Sequence, residues 1–153
     1  MRKQSQGFVR DIPLPDGAAT LRLGASIARG LDLGDAVALE GDLGAGKTTL
    51  ARAILRALGV TEDVPSPSFT LVQHYDTSRL PVRHFDLYRL KDASELGELG
   101  LDEALDEGAA LIEWPERAAA AIPSDALHVA LSITGPTSRR AELRGPQKWA
   151  AHV

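Results

Sequence analysis

The sequence contains neither cysteine nor asparagine among its 153 residues. Without cysteine the protein has no disulfide framework, no thiol nucleophile and no Cys-ligated zinc site. Without asparagine it lacks the N-K-x-D motif with which ordinary GTPases read guanine, and no D-x-x-G segment is present either. These absences exclude thiol chemistry and leave adenine as the favoured base for any nucleotide site.

Long apolar runs are also missing from the sequence. No run is long enough to cross a bilayer, and the N-terminal segment MRKQSQGFVRDIPLP lacks the apolar core of a signal peptide. We therefore expect a cytoplasmic protein that does not contact the membrane.

Positive charge is scarce as well, since the formal net charge is −4. Proteins that bind nucleic acid alone usually present a basic face, because phosphate neutralisation supplies much of the affinity. The only local concentration of basic residues lies near the C-terminus, at Arg139, Arg140, Arg144 and Lys148. We expect these four side chains to be solvated, so any contact with RNA would be indirect.

The rest of the composition is typical of a globular protein, with 44% hydrophobic and 25% charged residues. Together with the chain length, it predicts a single domain over residues 1–153. The segments 1–14 and 145–153 show no clear pattern, and we expect both to be loosely attached.

Hydrophobic periodicity predicts an α/β order of elements. The first helix, 16–30, has Asp16 as its N-cap and Gly30 as its C-cap glycine. Further helices are predicted at 47–59, at 93–108 in two pieces and at 116–121. Strands are predicted at 36–40, 70–75, 82–88, 109–114, 127–133 and 139–144. The second and third strands form a β-hairpin and the last two an antiparallel pair, which together predict an α/β sandwich with a mixed sheet. The glycine-rich segment GDLGAGKT at 41–48, between a strand and a helix, makes this sandwich P-loop NTPase-like.

The segment GDLGAGKT at 41–48 matches the phosphate-binding motif G-x-x-x-x-G-K-[ST] in full. Glycines allow successive backbone N–H groups to turn towards a phosphate, and the following helix presents its positive end to the same anion. Lys47 adds an ammonium group, and the Thr48 hydroxyl can bind magnesium. The predicted nucleotide-binding residues are Gly41, Asp42, Leu43, Gly44, Ala45, Gly46, Lys47, Thr48 and Thr49.

Two acids are candidates for holding magnesium or orienting water. Glu113 ends an apolar strand, where P-loop enzymes place such an acid, and Asp86 lies in a strand, where aspartate is depleted. Glu113 could instead pair with Arg117, and Asp86 could be a buried structural carboxylate. We expect His84 and His74 to be satisfied strand histidines. Trp114, flanked by Glu113 and Pro115, could lie against a partner or the nucleotide, but we expect a core residue.

The loop between the second predicted helix and the hairpin carries three hydroxyl groups, on Ser66, Ser68 and Thr70. Prolines 65 and 67 exclude regular structure there. The hydroxyls could sense the γ-phosphate, as switch loops do, or serve only in turns.

Several segments in this order and spacing resemble one family. GDLGAGKTTL, SPSFTL, HFDLYRL, ELGLDEAL and IEWPER, spread over roughly residues 15 to 145, are similar to the bacterial tRNA threonylcarbamoyladenosine biosynthesis ATPase family TsaE, formerly YjeE. The resemblance implies a magnesium-dependent ATPase that supports or resets a threonylcarbamoyl-transferase complex of TsaD- and TsaB-type partners, contacting tRNA only through them.

The resemblance also assigns roles to residues. Lys47 and Thr48 would contact phosphate and metal, Glu113 would reach magnesium, and Asp86 would act with Lys47 in hydrolysis. Ser66, Ser68 and Thr70 would form the switch-like loop, in which Ser68 replaces the threonine of the family pattern S-P-T-F.

The sequence is also compatible with two other functions. A P-loop kinase would phosphorylate a small metabolite without a protein partner, although no arginine-rich lid is evident. A nucleotide-gated adaptor would bind ATP without hydrolysing it.

Overall fold

The computed structural model describes residues 7–67 and 70–153. These residues form one seven-stranded sheet with the order β1-β7-β6-β2-β5-β4-β3. The strands are β1 (Gly7–Leu14), β2 (Ala36–Glu40), β3 (Val72–Asp76), β4 (Pro81–Asp86), β5 (Ala109–Glu113), β6 (Leu127–Ile133) and β7 (Arg139–Pro146). The helices are α1 (Gly17–Gly30), α2 (Lys47–Ala57), α3 (Glu95–Glu98) and α4 (Leu101–Glu107), with 3₁₀ helices at Pro115–Ala121 and Gln147–Ala151.

The sheet is mixed, as the sequence predicts. Strands β6, β2, β5 and β4 run parallel to one another in the centre. Strand β3 pairs antiparallel with β4, and β7 pairs antiparallel with both β6 and β1. The parallel strands therefore bring the carboxyl ends of β2, β5 and β4 to one edge, where α/β proteins commonly bind ligands.

The two faces of the sheet carry separate apolar clusters. Helices α1 and α2 pack on one face, where Val37 and Leu39 of β2 join the larger cluster. Helices α3 and α4 contribute to the smaller cluster on the other face, together with Ala36 and Ile112. Because both faces are covered, β2 and β5 can be apolar without alternation up to the glutamate that ends each of them.

The N-terminal segment corrects one expectation. Residues 7–14 are not loose but form β1, an edge strand paired along its whole length with β7. Arg10 at a half-buried position and Pro13 near the strand end obscured the alternation in the sequence. Proline is tolerated here because an edge strand leaves one row of backbone groups unpaired. Residues 1–6 lie outside the described residues.

The C-terminal segment corrects the same expectation. Residues 145 and 146 complete β7, and a 3₁₀ helix follows, in which Trp149 is only 1% exposed and joins the larger cluster. The Arg10 guanidinium on β1 donates hydrogen bonds to the carbonyls of Ala150 and Val153. These contacts attach the end of the chain to the sheet.

Helix α1 begins as predicted but ends differently. The Asp16 carboxylate accepts a hydrogen bond of 3.0 Å from the Ala19 N–H, which confirms the N-cap. Gly30 is the last helical residue rather than a left-handed cap, and Leu31 follows in an extended conformation. A Cβ on Gly30 would lie 2.9 Å from the Trp149 ring, so close packing requires glycine there.

No helix in the described ranges 7–67 and 70–153 combines the length and the apolar character needed to cross a membrane.

Candidate functional site

The loop between β2 and α2 has the backbone geometry that the phosphate-binding motif requires. Gly41, Gly44 and Gly46 all have positive φ angles, of 143°, 82° and 107°. A Cβ on Gly41 would lie 2.6 Å from the carbonyl oxygen of Leu131, so that position excludes any side chain. The predicted residues of the loop thus lead directly into the first turn of α2 at Lys47.

Lys47 is the first residue of α2, directly after the loop glycines, and is 5% exposed. Its ammonium group donates hydrogen bonds to the carbonyls of Gly41 and Asp42, the latter at 3.0 Å, and lies 4.0 Å from the centre of the Trp114 ring. Burial lowers the pKa of Lys47 from its ordinary value, an effect opposed by the nearby carboxylates of Glu113, Glu116, Asp86 and Asp42.

Glu113 lies beside the loop, at the carboxyl end of β5. The Thr48 hydroxyl on α2 lies 2.9 Å from each of its carboxylate oxygens. The carboxylate also lies 2.7 Å from Nε2 of His84 on β4. The alternative ion pair with Arg117 is not found, since the Arg117 guanidinium lies over the Tyr88 ring at 5.4 Å. Glu113 is therefore held between α2 and β4, facing the loop.

Asp86 ends the neighbouring parallel strand, directly opposite Glu113 in the register. It is 3% exposed and accepts hydrogen bonds from the Ser66 hydroxyl at 3.1 Å and the Tyr88 N–H at 3.0 Å. These contacts fit both alternatives drawn from the sequence, a structural carboxylate and an acid of the site. Its position on the edge shared with the loop is what a water-orienting acid needs.

These groups surround a cavity of about 240 Å³. It is lined by Leu43, Gly44, Gly46, Lys47, Thr48, Thr49, Ser66, Asp86, Tyr88, Glu113 and Trp114. The structure thus brings both predicted acids, the loop lysine and the loop hydroxyl into one space.

The switch-like loop is only partly described. Ser66 reaches the cavity and Asp86, whereas Thr70 is exposed and does not line the cavity. Ser68 lies outside the described residues. The sensing role of these hydroxyls stays a prediction.

Two aromatic residues line the cavity, of which the sequence offered only Trp114, as an alternative to a core position. Trp114 is partly buried: it packs against the smaller apolar cluster and also lines the cavity beside Tyr88, the ring centroids being 4.9 Å apart. Trp114 also has a positive φ of 59°, which is unusual for a bulky residue and typical of functional sites. The position of Trp114 directly after Glu113 in the sequence was the signal that pointed to a place at the site.

His84 also differs from its prediction as a satisfied strand histidine. It is completely buried, and the only hydrogen bond of its side chain among the described residues joins Nε2 to Glu113. Its Nδ1 has no partner in the part of the chain that the structure describes. His74, in contrast, is exposed.

A smaller cavity of about 170 Å³ adjoins the loop on the side of β6 and β7. Gly44, Gly46 and Thr49 line both cavities, and the N-terminal end of α1 forms another wall through Gly17. Arg139 lies at its rim and donates hydrogen bonds of 3.1 and 3.3 Å to the Gly44 carbonyl.

The C-terminal basic residues are paired rather than merely solvated. Arg140 binds Asp11 at 2.7 Å, Lys148 binds Asp35 at 2.6 Å and Arg144 lies 3.6 Å from Glu40, while Arg139 binds the phosphate loop. Three of the four basic residues thus lie beside a carboxylate and remain about half exposed, whereas Arg139 donates hydrogen bonds to carbonyl oxygens.

The donor chemistry next to Lys47 fits a hard cation. The Thr48 hydroxyl and the Glu113 carboxylate supply adjacent oxygen atoms, and Asp86 supplies a second carboxylate nearby. Within the described residues no group of three or more His, Cys, Asp or Glu side chains forms a metal site. A cation here would therefore take its remaining ligands from phosphate and water, as magnesium commonly does.

Comparisons with known proteins agree with this arrangement. The family model "Threonylcarbamoyl adenosine biosynthesis protein TsaE" matches residues 14–141. The chain is 41% identical over 135 residues to the tRNA threonylcarbamoyladenosine biosynthesis protein TsaE of Nostoc sp., covering 85% of this chain and 82% of that protein. It is 41% identical over 107 residues to the Bacillus subtilis protein of the same name, covering 69% of this chain and 66% of that protein.

A solved structure shows the same fold. The crystal structure of Bacillus subtilis YdiB superimposes with a TM-score of 0.78 at 28% identity, covering 94% of this chain and 89% of the other. The loop, the mixed sheet, the family match and the similarity to named relatives agree with one another, and the chain belongs to the TsaE family of tRNA threonylcarbamoyladenosine biosynthesis proteins.

Proposed function

We propose that this protein is a magnesium-dependent ATPase that supports the threonylcarbamoyladenosine modification of tRNA. The observation that carries the proposal is the joint placement of Lys47, Thr48 and Glu113 around one cavity at the phosphate loop. The name of the family identifies the pathway as threonylcarbamoyladenosine biosynthesis. The absence of both guanine-reading motifs favours ATP over GTP.

The phosphate loop would bind the triphosphate through backbone N–H groups and the ammonium group of Lys47. Thr48 and Glu113 would hold magnesium, which when bound neutralises charge on the β- and γ-phosphates. Gly44, Gly46 and Thr49 line the smaller cavity as well as the larger one. We place the nucleoside in the smaller cavity because this cavity adjoins the phosphate loop.

Hydrolysis needs one water molecule directed at the γ-phosphorus. The water oxygen forms a bond to phosphorus while the bond to the β–γ bridging oxygen breaks, which yields ADP and phosphate. Asp86 ends the strand next to Glu113 and lines the cavity, so its carboxylate can orient this water. The hydrogen bonds from Ser66 and Tyr88 would fix that carboxylate in place.

We further propose that the partners are threonylcarbamoyl-transferase proteins of the TsaD and TsaB type and that the protein acts in the cytoplasm. Arg140, Arg144 and Lys148 each lie beside an acid, and the net charge of the chain is −4. RNA contact would therefore be made by the partners rather than by this chain.

ATP turnover by the purified protein, measured alone, with the two partners, and with partners plus tRNA, tests the proposal. We expect magnesium-dependent hydrolysis that rises when the partners are added. Binding without turnover under all conditions would instead support a nucleotide-gated adaptor. Turnover that rises with a hydroxylated metabolite in the absence of partners would support a kinase.

A further inference from the structure

Glu113 makes a second contact that the proposed magnesium chemistry does not by itself require. Its Oε2 lies 2.7 Å from Nε2 of His84, and both side chains are almost completely shielded from solvent, at 2% and 0% exposure. His84 lies on β4, two residues before Asp86, and the register places it opposite Leu111 on β5. Because alternate residues of a strand share a face, β4 presents His84 and Asp86 to the same side of the sheet.

The hydrogen bonds of His84 indicate why a histidine stands there. A buried ring that served packing alone would be replaced at little cost by an apolar side chain, because a polar group without a partner is unfavourable in the interior. Nδ1 has no partner among the described residues, so the ring carries that cost while making one hydrogen bond. That single bond goes to Glu113.

The direction of this hydrogen bond follows from the chemistry of the pair. A carboxylate that binds magnesium is ionised and only accepts hydrogen bonds, so in that role of Glu113 the proton of the contact is on Nε2, which donates it. The donated bond restrains one carboxylate oxygen, and the Thr48 hydroxyl lies at 2.9 Å from both oxygens on the other side. Glu113 is thus held from two elements, α2 and β4, with its remaining acceptor capacity directed to the cavity.

We propose that His84 is a positioning residue, which fixes the orientation of Glu113 through its Nε2–H and thereby sets the affinity of the site for magnesium. This inference rests on the proposed function, because it assigns to Glu113 the role of magnesium ligand. Partners that orient a metal ligand typically contribute about 10- to 100-fold to metal affinity. His84 is completely buried and is not among the residues that line the cavity.

A set of matched variants tests the proposal. His84→Gln places an amide N–H near the position of Nε2, His84→Asn places it near Nδ1, too far back to reach Glu113, and His84→Leu removes the donor. For each variant, calorimetry gives the dissociation constant of ATP without magnesium divided by that with magnesium. This ratio is large when magnesium strengthens the binding of ATP. Glu113→Ala marks the ratio expected when the ligand itself is lost.

We expect this ratio to fall about 10-fold or more in His84→Leu and His84→Asn and to stay close to wild type in His84→Gln. Metal-free ADP affinity should remain nearly unchanged in all three. A wild-type ratio in His84→Leu and His84→Asn would overturn the inference, and so would an equal loss in all three, because packing rather than donation would then matter. If His84→Leu fails to fold, the comparison of Asn with Gln decides alone.

A second measurement needs neither metal nor nucleotide. Nitrogen NMR of the free protein should show His84 as the tautomer protonated at Nε2, and Glu113→Leu should abolish that preference. Protonation at Nδ1 alone would overturn the inference. A wild-type protein without magnesium-dependent ATP binding would refute the proposed function instead, so the two failures can be told apart.

Discussion

Lys47 lies at a point where burial and charge oppose each other. Burial lowers the pKa of its ammonium group, while Glu113, Glu116, Asp86 and Asp42 act in the opposite direction. Burial removes part of the hydration of this group, and a less hydrated ammonium group interacts more strongly with a bound phosphate.

We predict that Lys47→Ala weakens ATP binding by about 2–4 kcal/mol, because it removes a buried charge that faces the phosphates. Calorimetric titration with MgATP measures the loss, and the thermal unfolding midpoint serves as the folding control. An affinity within about threefold of wild type, which corresponds to less than 1 kcal/mol, would contradict the assignment of the site.

Asp86 gives a second prediction for a single residue. Asp86→Asn keeps the size and can still accept a hydrogen bond from Ser66, but it removes the negative charge to which we assign the orientation of water. We expect ATP affinity close to wild type, with turnover reduced by roughly 10²- to 10⁴-fold. Single-turnover hydrolysis, measured beside an equilibrium binding assay, separates the two effects. Wild-type turnover would reduce Asp86 to a structural carboxylate.

At the scale of single residues, the predictions from sequence differ in outcome for a physical reason. The apolar pattern predicted Glu113 at a strand end but placed Asp86 inside a strand over 82–88. The structure ends β4 at Asp86 and brings both acids side by side at the cavity. Trp114 and His84 were predicted as ordinary buried residues. Trp114 contacts Lys47, which is distant in the chain, and His84 contacts Glu113 on the neighbouring strand. Local sequence patterns do not report such contacts.

At the scale of elements, the close contact of α1 with α2 positions the phosphate loop. Gly24 on α1 lies against α2, and a Cβ added there would meet the Cβ of Ala53 at 2.4 Å and its carbonyl carbon at 2.8 Å. Because α2 begins at the loop residue Lys47, the depth of this contact sets where the helix N-terminus lies relative to β2.

Gly24→Ala should therefore destabilise the protein, although alanine favours helices by about 1 kcal/mol over glycine. Overpacking costs about 1–3 kcal/mol, so we expect a net loss of up to 2 kcal/mol in the free energy of unfolding. Urea denaturation measures it. Gly97→Ala on α3 is the matched control, since a Cβ there meets no atom within 4 Å and should not destabilise. Equal stability changes in both variants would contradict the close contact.

The elements themselves were largely predictable. The strand–loop–helix unit, the hairpin β3–β4 and the break between α3 and α4 follow local signals such as glycine, proline and alternation. Strand β1 was missed because its pattern is irregular and its stability comes from pairing with β7, which lies at the other end of the chain.

At the scale of the whole molecule, strand β1 and the C-terminal 3₁₀ helix lie at the same edge of the sheet, next to β7. Strand β1 pairs with β7, and the C-terminal 3₁₀ helix places Trp149 against Gly30 at the end of α1. Residues near positions 10, 30 and 150 therefore form one packed unit, which covers the larger apolar cluster.

Trp149→Ala should lower the free energy of unfolding by about 3–5 kcal/mol, because it leaves a cavity in the larger cluster. Chemical denaturation followed by circular dichroism measures this change. Ile133→Ala, at a side chain that is 54% exposed, is the control and should change stability by less than about 1 kcal/mol. A loosely attached C-terminus would give equally small changes in both variants.

The sequence by itself determined the phosphate loop, the strand before it, the helix after it and the family, since each depends on residues that are neighbours in the chain. Only the tertiary structure decided which side chains meet at the loop. Thr48 and Glu113 are 65 positions apart, and His84 and Glu113 are 29 apart, so only the parallel pairing of β4, β5 and β2 brings them into contact. Periodicity and motifs report local conformation, whereas such contacts arise when the sheet is assembled.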